Sequence, residues 1–320
     1  MKKEYDVIVV GGGPAGSSCA GALKRAGMRV LVLDRKSFPR LKLCAGWVTP
    51  RVWHLLRVHP RDYPHSLIRL RRLIFHIRGK RIALPTRQYS IRRYEFDHWL
   101  LQRSGADFQP HTVRHIVQDG DYFVIDDTYR CRYLVGAGGT NCPVYHTFFA
   151  RQCPREESRR IATFEEEFPY DYHDSECYLW FFDNDLPGYS WYVPKGNGYL
   201  NVGIGAKIQS LKTKGDHLRD HWQSLQQKLV ETGLVTHHSF TNKGHQYFLR
   251  HPQTIPQQGR IYLIGDSAGL ATVDMGEGIG PAIQSGLLAA QSILTGKPYS
   301  LRSIPRYSLW DLLFWWRWRL

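Results

Sequence analysis

The stretch YDVIVVGGGPAGSSCAGALKRAGMRVLVLD, residues 5–34, decides the fold. Residues 5–10 form a short, nearly continuous apolar run, the kind a sheet buries on both faces. Gly11, Gly13 and Gly16 follow in GxGxxG spacing. Ala15, Cys19, Ala20, Ala22 and Leu23 are small or apolar, as a helix lying close against a sheet requires. Residues 28–34 are a second apolar run that ends on an acid, Asp34. Strand, glycine turn, helix, strand and acid together are the full context of a dinucleotide-binding unit. Gly11 permits the tight turn, Gly13 lets the backbone approach a pyrophosphate, and Gly16 lets helix and strand close together. The helix N-terminus, whose first turn holds Pro14 and Ala15, offers the N–H groups of the residues after the proline and a positive dipole end to phosphates. Asp34, with Arg35 beside it, accepts from ribose hydroxyls. This turn alone does not separate FAD from NAD.

Around this unit the chain extends to 320 residues, enough for one large domain or two interleaved ones. With 42% apolar and 22% charged residues it is globular, and a disordered chain is excluded. The net charge of +15 favours anionic partners such as phosphates and acidic lipid surfaces. No nucleic-acid-binding module accompanies that charge, so nucleic acid is not an expected partner. Six cysteines (positions 19, 44, 131, 142, 153 and 177) show neither CxxC pairs nor Cys/His zinc spacing. Neither a disulfide framework nor a metal site is expected, and reduced thiols fit the cytoplasm. The N-terminal apolar run, residues 7–10, is too short for a signal-peptide core. No stretch reaches about 18 apolar residues, so no spanning helix is expected.

The C-terminal third separates the cofactors. GRIYLIGDSAGLATVDMGEGIGPAIQSGLLAAQSIL, residues 259–294, begins with a buried strand ending on Gly265 and Asp266. An aspartate at that strand end suits a ribityl chain. Gly276, Gly278 and Gly280 then precede a helix with apolar positions from Ile279 to Leu294. Both ends of the chain resemble FAD-binding proteins of the glutathione-reductase-like superfamily, in the p-hydroxybenzoate-hydroxylase-type branch. That resemblance implies that Asp266 binds the flavin ribitol and that Gly276, Gly278 and Ile279 lie near the isoalloxazine. SIRRYEFDHWL resembles the branch's R-x-x-F-D-x-x-L element through Arg93, Phe96, Asp97 and Leu100, the arginine contacting FAD. Val113 is counted with the cofactor contacts. In GAGGTN, Gly138 stands where the branch has aspartate, which counts against direct NAD(P)H use.

Two central segments narrow the branch. GYSWYVPKGNGYLNVGIG, residues 188–205, resembles the YxWxFP…GxG signature of the geranylgeranyl reductase family, carried by Tyr189, Trp191, Pro194, Gly203 and Gly205, with Val193 for phenylalanine. PRLKLCAGWVTP, residues 39–50, resembles that family's P-x-x-K-x-C-G-G segment, with Ala45 for the first glycine. The resemblance implies that Cys44 and Ala45 lie beside the flavin at the substrate cavity. Alkene reduction needs hydride at one carbon, a proton at the other and a surface that tolerates positive charge. The Cys44 thiol suits the proton, or is a small buried neighbour of the cofactor. Trp191 and Tyr189 suit the apolar tunnel through their π faces, or pack the sheet.

Residues 63–94 contain no acid but many arginines, and LIFHIRGKRIAL reads as a hairpin turning at Gly79 and Lys80. Its positive face suits a diphosphate or anionic lipid heads. YSLWDLLFWWRWRL, residues 307–320, has the Trp and Arg content of an interfacial segment, or packs into its own domain.

The expected architecture is α/β. A discontinuous Rossmann-like FAD/NAD(P)-binding domain, residues 1–68, 94–145 and 258–299, carries an inserted antiparallel β-sheet substrate domain, residues 69–93 and 146–257. A short aromatic and basic tail spans 300–320. The expected function is FAD-dependent reduction of C=C bonds in an isoprenoid or lipid-like substrate. The alternative is an FAD monooxygenase or halogenase-like enzyme acting on an aromatic or polyketide-like substrate. The reductant is NAD(P)H or a ferredoxin, an acidic redox partner that the positive charge would suit. Peripheral contact with a membrane on its cytoplasmic face accompanies a lipid substrate.

Overall fold

The computed structural model of the chain describes residues 2–314. It opens with β1 (Lys3–Val10), α1 (Pro14–Arg25) and β2 (Val30–Asp34). Next come β3 (Trp47–Val48), α2 (Pro50–Leu56), β4 (Leu67–Arg69), β5 (Arg72–Ile77), β6 (Lys80–Pro85) and β7 (Tyr89–Ile91). α3 (Arg93–Ser104) leads to β8 (Asp107–Pro110), β9 (Ile116–Asp119), β10 (Tyr122–Ile125) and β11 (Tyr129–Gly136). β12 (Arg160–Pro169), β13 (Cys177–Phe181), β14 (Gly188–Lys195) and β15 (Tyr199–Lys207) precede α4 (Ile208–Lys214) and α5 (Leu218–Glu231). The chain continues through β16 (Lys243–Phe248), β17 (Gln257–Gln258), β18 (Ile261–Leu263), α6 (Ile279–Thr295) and α7 (Leu309–Leu313). These elements fall into two compact units.

The first unit comprises residues 2–40, 96–155 and 247–308. Its sheet runs β17-β18-β11-β1-β2-β8, with β10 and β9 added beside β11. β1 is parallel to both β2 and β11, and β18 is parallel to β11. Val7 to Val10 and all of β2 are buried, which is why both read as unbroken apolar runs. α1 and α6 approach so closely that a Cβ on Gly286 would lie 2.3 Å from Ala15 O. Small residues along both helices allow this. The mixed α/β fold with a Rossmann-like unit is therefore the one the sequence pattern predicts.

The second unit comprises residues 41–95, 156–246 and 309–314. Its main sheet runs β16-β12-β15-β14-β13-β5-β6, antiparallel at β5/β6, β13/β14, β14/β15 and β12/β15, parallel at β13/β5. One face is covered by α4 and α5. Leu218, Trp222, Leu225 and Leu229 form one stripe of α5 and join Phe168, Trp180, Tyr192, Val202 and Ile204 in a core. The opposite face is set by register. One row across it reads Phe75, Leu179, Trp191, Gly203, Glu165; the next reads Ile77, Phe181, Tyr189, Gly205, Thr163.

The segment boundaries differ from those expected. Residues 41–68 belong to the second unit because β3, β7 and β4 form a small sheet there, and Ser90 Oγ donates to Pro194 O at 2.7 Å. Residues 146–155, 247–257 and 300–308 belong to the first. Phe149, Tyr299, Leu301 and Ile304 lie in its core, and Arg250 donates to the carbonyls of Leu301 and Ile304. The β5–β6 turn is Arg78-Gly79, one residue earlier than expected, and both have positive φ, as a two-residue hairpin turn needs. In the C-terminal segment Arg51 pairs with Asp311 at 3.5 Å, and Gln88 donates to Asp311 O at 3.3 Å. This fastens α7 to the second unit. The Trp and Arg positions of the tail from 315 to 320 lie outside the described residues.

Candidate functional site

The first unit builds a cradle around α1. Gly11 sits at φ +121°, where a Cβ would lie 2.2 Å from Ala137 O. A Cβ on Gly16 would lie 1.9 Å from Gly11 O. The turn is thus drawn tight against the end of β11 and the start of α1. No side chain caps α1 at Gly13, and no acid occupies its first turn, so its positive end carries no built-in anion. Pro14 and Ala15 are buried in that first turn. Asp34, 9% exposed, accepts from Gly12 N at 2.8 Å and Lys36 N at 3.0 Å. Arg35 is exposed beside it.

Arg40 was not expected at this site. Its guanidinium lies 3.9 Å from Asp34 and 3.4 Å from the fully buried Asp97, and 4.6 Å over the Phe38 ring. The nearest atom to a Cβ built on Gly13 is Arg40 Nη2, at 3.6 Å. A cation is therefore held over the glycine turn by two acids, one from the Phe96-Asp97 element. The sequence offered only a Pro-Arg pair, with no spacing that ties it to Asp97.

The second half of the cradle is the turn after β18. Asp266 lies in a 3-10 turn, and its carboxylate makes no hydrogen bond among the described residues. A Cβ on Gly278 would sit 3.5 Å from Asp266 Oδ1. Arg155 donates to Thr140 O and, at 2.8 Å, to Ser267 O, and Ser267 Oγ accepts from Gly139 N. Burial lowers the Arg155 pKa from its ordinary value, with Tyr145 3.8 Å below its guanidinium. Arg155 thus joins the Gly138 turn to the Asp266 turn. Gly138 has little room for a side chain: a Cβ there would meet Cys142 Cα at 3.2 Å. At the start of α6, Gly276 has φ +63° and Ile279 is buried. Glu277 Oε1 accepts from Gly280 N at 2.9 Å, so one of the helix's leading N–H groups is already taken. Val113 is half-buried at the edge of this unit's core.

Cys44, Ala45, Arg93, Tyr189 and Trp191 all fall in the second unit. Cys44 is half-buried, and its Sγ accepts from Gly46 N at 3.3 Å. Cys19, Cys131 and Cys177 are buried, and burial pushes each thiol up to about 12, so they are unreactive. The Cys44 loop is held by Lys195, which is fully buried and donates to Ala45 O and, at 2.9 Å, to Ile91 O. Burial lowers the Lys195 pKa. Trp191 Nε1 donates to Asn201 Oδ1 at 2.7 Å. Asn201 in turn hydrogen-bonds Glu165, whose carboxyl burial raises to about 7. Arg93 is buried and contributes positive charge to the same carboxyl.

The family model for an FAD binding domain matches residues 4–58. An uncharacterized protein of Methanosarcina barkeri is 33% identical over 329 residues, covering 91% of this chain and 75% of that protein. The geranylgeranyl diphosphate reductase of Rhodobacter capsulatus is 27% identical over 328 residues, covering 93% and 78%. The chain belongs to the geranylgeranyl reductase family of FAD-dependent oxidoreductases. A solved geranylgeranyl bacteriochlorophyll reductase-like protein from Thermoplasma acidophilum matches this family member's fold with TM-score 0.77 at 20% identity, covering 92% of this chain and 78% of that one.

The first unit's residues fit FAD. The uncapped α1 start, the close glycine backbone and the Arg40 cation suit a pyrophosphate, and the free Asp266 carboxylate suits a ribityl hydroxyl. Asp266→Ala would remove the carboxylate that a ribityl hydroxyl would donate to. FAD affinity is expected to fall about 10- to 100-fold. Titration of apoprotein with FAD, followed by flavin fluorescence, checks this; unchanged affinity would mean that Asp266 does not touch the cofactor.

Proposed function

We propose that this family member reduces carbon–carbon double bonds of an isoprenoid or similar lipid-like substrate. The observation that carries this reading is the aromatic lane on the face of the second unit's sheet opposite α4 and α5. Phe75 and Phe181 stack at 6.0 Å, Phe181 and Tyr189 at 4.8 Å, and Tyr189 meets Trp191 at 5.7 Å. The first three rings are half-buried and Trp191 is buried, so the lane runs from a partly exposed end to a closed one. Such a surface suits a long apolar chain, and its π faces tolerate cationic character at carbon. Gly203 and Gly205 stand opposite Trp191 and Tyr189 on the next strand, and the Trp191 ring lies over the space a side chain on Gly203 would fill.

When bound, reduced FAD supplies the hydride. The protein's own contribution is to bind and orient the alkene, exclude water and manage one proton. Tyr189 and Trp191 line the substrate, and the Cys44 thiol, fixed by Gly46 and by Lys195 behind its loop, touches it. Ala45, Arg93 and Val113 are further proposed cofactor contacts. NAD(P)H or an acidic ferredoxin reduces the flavin.

A lipid substrate suits contact with a membrane surface. Among the described residues, no helix is long and apolar enough to cross a membrane. The β5–β6 hairpin presents exposed Arg78, Lys80 and Arg81 with Ile82, which is 50% exposed. The triple substitution Arg78→Glu, Lys80→Glu, Arg81→Glu is expected to abolish flotation with anionic liposomes; undiminished flotation would remove the hairpin from the contact.

The test of the reading is anaerobic. Dithionite-reduced holoenzyme is mixed with geranylgeranyl diphosphate or a prenylated lipid extract. Flavin reoxidation with a product two mass units heavier is the expected result. A flavin that stays reduced until oxygen enters would favour the monooxygenase or halogenase-like alternative.

A further inference from the structure

We propose that Glu165 is the proton donor of this reduction, a role that rests on the alkene-reductase reading above. Glu165 stands on β12 directly across from Gly203, which stands directly across from Trp191. Because Gly203 lacks a side chain, nothing on β15 separates the indole from the carboxyl. A Cβ placed on Gly203 would lie 2.2 Å from Trp191 Cζ2 and 2.7 Å from Glu165 Cβ. The acid therefore belongs to the closed end of the aromatic lane, on the sheet face opposite α4 and α5.

Its surroundings keep it as an acid. Glu165 is 2% exposed, and its Oε2 has no hydrogen-bond partner among the described residues. Asn201 holds the carboxyl through one hydrogen bond and is itself oriented by the Trp191 N–H. The charges that act on it are Lys42 from the loop before Cys44, Lys195 on β14 and Arg93 at the start of α3; Glu167, on its own strand, acts on Lys195. Lys42 in turn meets His245 on β16, and Lys195 feels the Cys44 thiol. None of the cations forms an ion pair with Glu165 among the described residues. Lys42 Nζ lies 2.6 Å from His245 Nε2, and Lys195 is engaged by two carbonyls. The three cations favour the carboxylate, but burial outweighs them. The result is a carboxyl that is protonated below about pH 7 and whose second oxygen is left open. A general acid needs both properties.

The step balances as follows. The Glu165 O–H bond breaks, and the alkene π electrons form a C–H bond to that proton. The neighbouring carbon, left cationic beside the Trp191 face, receives hydride from the reduced flavin. The alkene gains two electrons and two hydrogens, the flavin ends oxidised, and Glu165 ends as a carboxylate that recovers its proton from water.

Glu165→Gln keeps the shape and the hydrogen bond to Asn201 but holds no acidic proton. Two measurements test the proposal on holoenzyme. In infrared spectra without substrate, the wild type is expected to show the carbonyl band of a buried protonated carboxyl, lost as pH rises through about 7, and Glu165→Gln to lack it. In the anaerobic single turnover with geranylgeranyl diphosphate, the wild-type rate is expected to fall above the same pH. Glu165→Gln should be about 100-fold slower or worse and flat with pH, with FAD content and reoxidation by oxygen unchanged. Glu165→Asp should recover part of the rate. A Glu165→Gln enzyme that forms product at the wild-type rate would overturn the proposal. So would a rate that breaks only above pH 8, the range of an ordinary thiol, which would assign the proton to Cys44. A wild type that forms no product removes the alkene-reductase reading, and this role for Glu165 with it.

Discussion

Gly11→Ala is expected to yield protein without bound FAD, most of it insoluble. Two costs combine. At φ +121° an alanine is strained by about 1–3 kcal/mol. Its Cβ would also lie 2.2 Å from Ala137 O, 2.4 Å from Ala137 C and 2.7 Å from Gly138 N. All three are backbone atoms, so no rotamer relieves the clash. The surrounding backbone is fixed as well: Gly11 N donates to Leu33 O at 2.7 Å and Ala137 N to Val10 O at 2.8 Å. Relief requires the ends of β1 and β11 to part, which breaks parallel pairing in the middle of the sheet. The total exceeds about 4 kcal/mol, a large fraction of the 5–15 kcal/mol that holds a domain together. The flavin-to-protein ratio of the soluble fraction and its thermal midpoint check this. A soluble Gly11→Ala protein with full FAD and an unchanged midpoint would refute the geometry of the turn.

Gly203→Ala is expected to be the second most damaging of these changes, and its damage should be confined to the second unit. The added Cβ would lie 2.2 Å and 2.5 Å from atoms of the Trp191 indole and 2.7 Å from Glu165 Cβ. Here the clash is with side chains, so the ring can move, but Trp191 is 5% exposed and bonded to Asn201. Overpacking costs about 1–3 kcal/mol. Breaking the Trp191–Asn201 bond leaves a buried polar group unmet, for about 1–3 kcal/mol more. The expected signature is a lowered thermal midpoint, retained FAD and lost turnover. A double-mutant cycle checks the cause. In a Trp191→Ala background the Gly203→Ala change should cost far less, because the ring it strikes is gone. Additive costs would show that the glycine serves something other than the indole.

The two glycines also show where sequence reading succeeds and where it stops. Gly11 was legible because its whole context is local: strand, turn, helix, strand and acid follow within thirty residues, and each supplies one part of a phosphate cradle. The YxW and GxG pair was legible as a family signature, but its physical meaning was not. Only the antiparallel register places Trp191 across from Gly203 and Tyr189 across from Gly205, so that the bare backbone of Gly203 makes room for the indole on the neighbouring strand.

Glu165 lay beyond the sequence altogether. It is the first of three consecutive glutamates in RIATFEEEFP, a run that reads as a solvated edge. Strand alternation sends Glu165 to the closed end of an aromatic lane and Glu166 to the other face, and no local pattern distinguishes them. Lys195 was hidden in the same way, since a lysine beside a Gly-Asn-Gly turn reads as exposed. In the fold it is fully buried, bound to carbonyls from two distant segments. Arg40 meets Asp34 and Asp97 only because the chain returns through α3.

The sequence by itself determined the FAD-binding unit, its α/β class and the family, because those rest on short-range patterns with a single physical use. The tertiary structure decided which polar groups lose their water. Burial depends on register and on segments far apart in the chain, and it is burial that raises the Glu165 carboxyl to about 7.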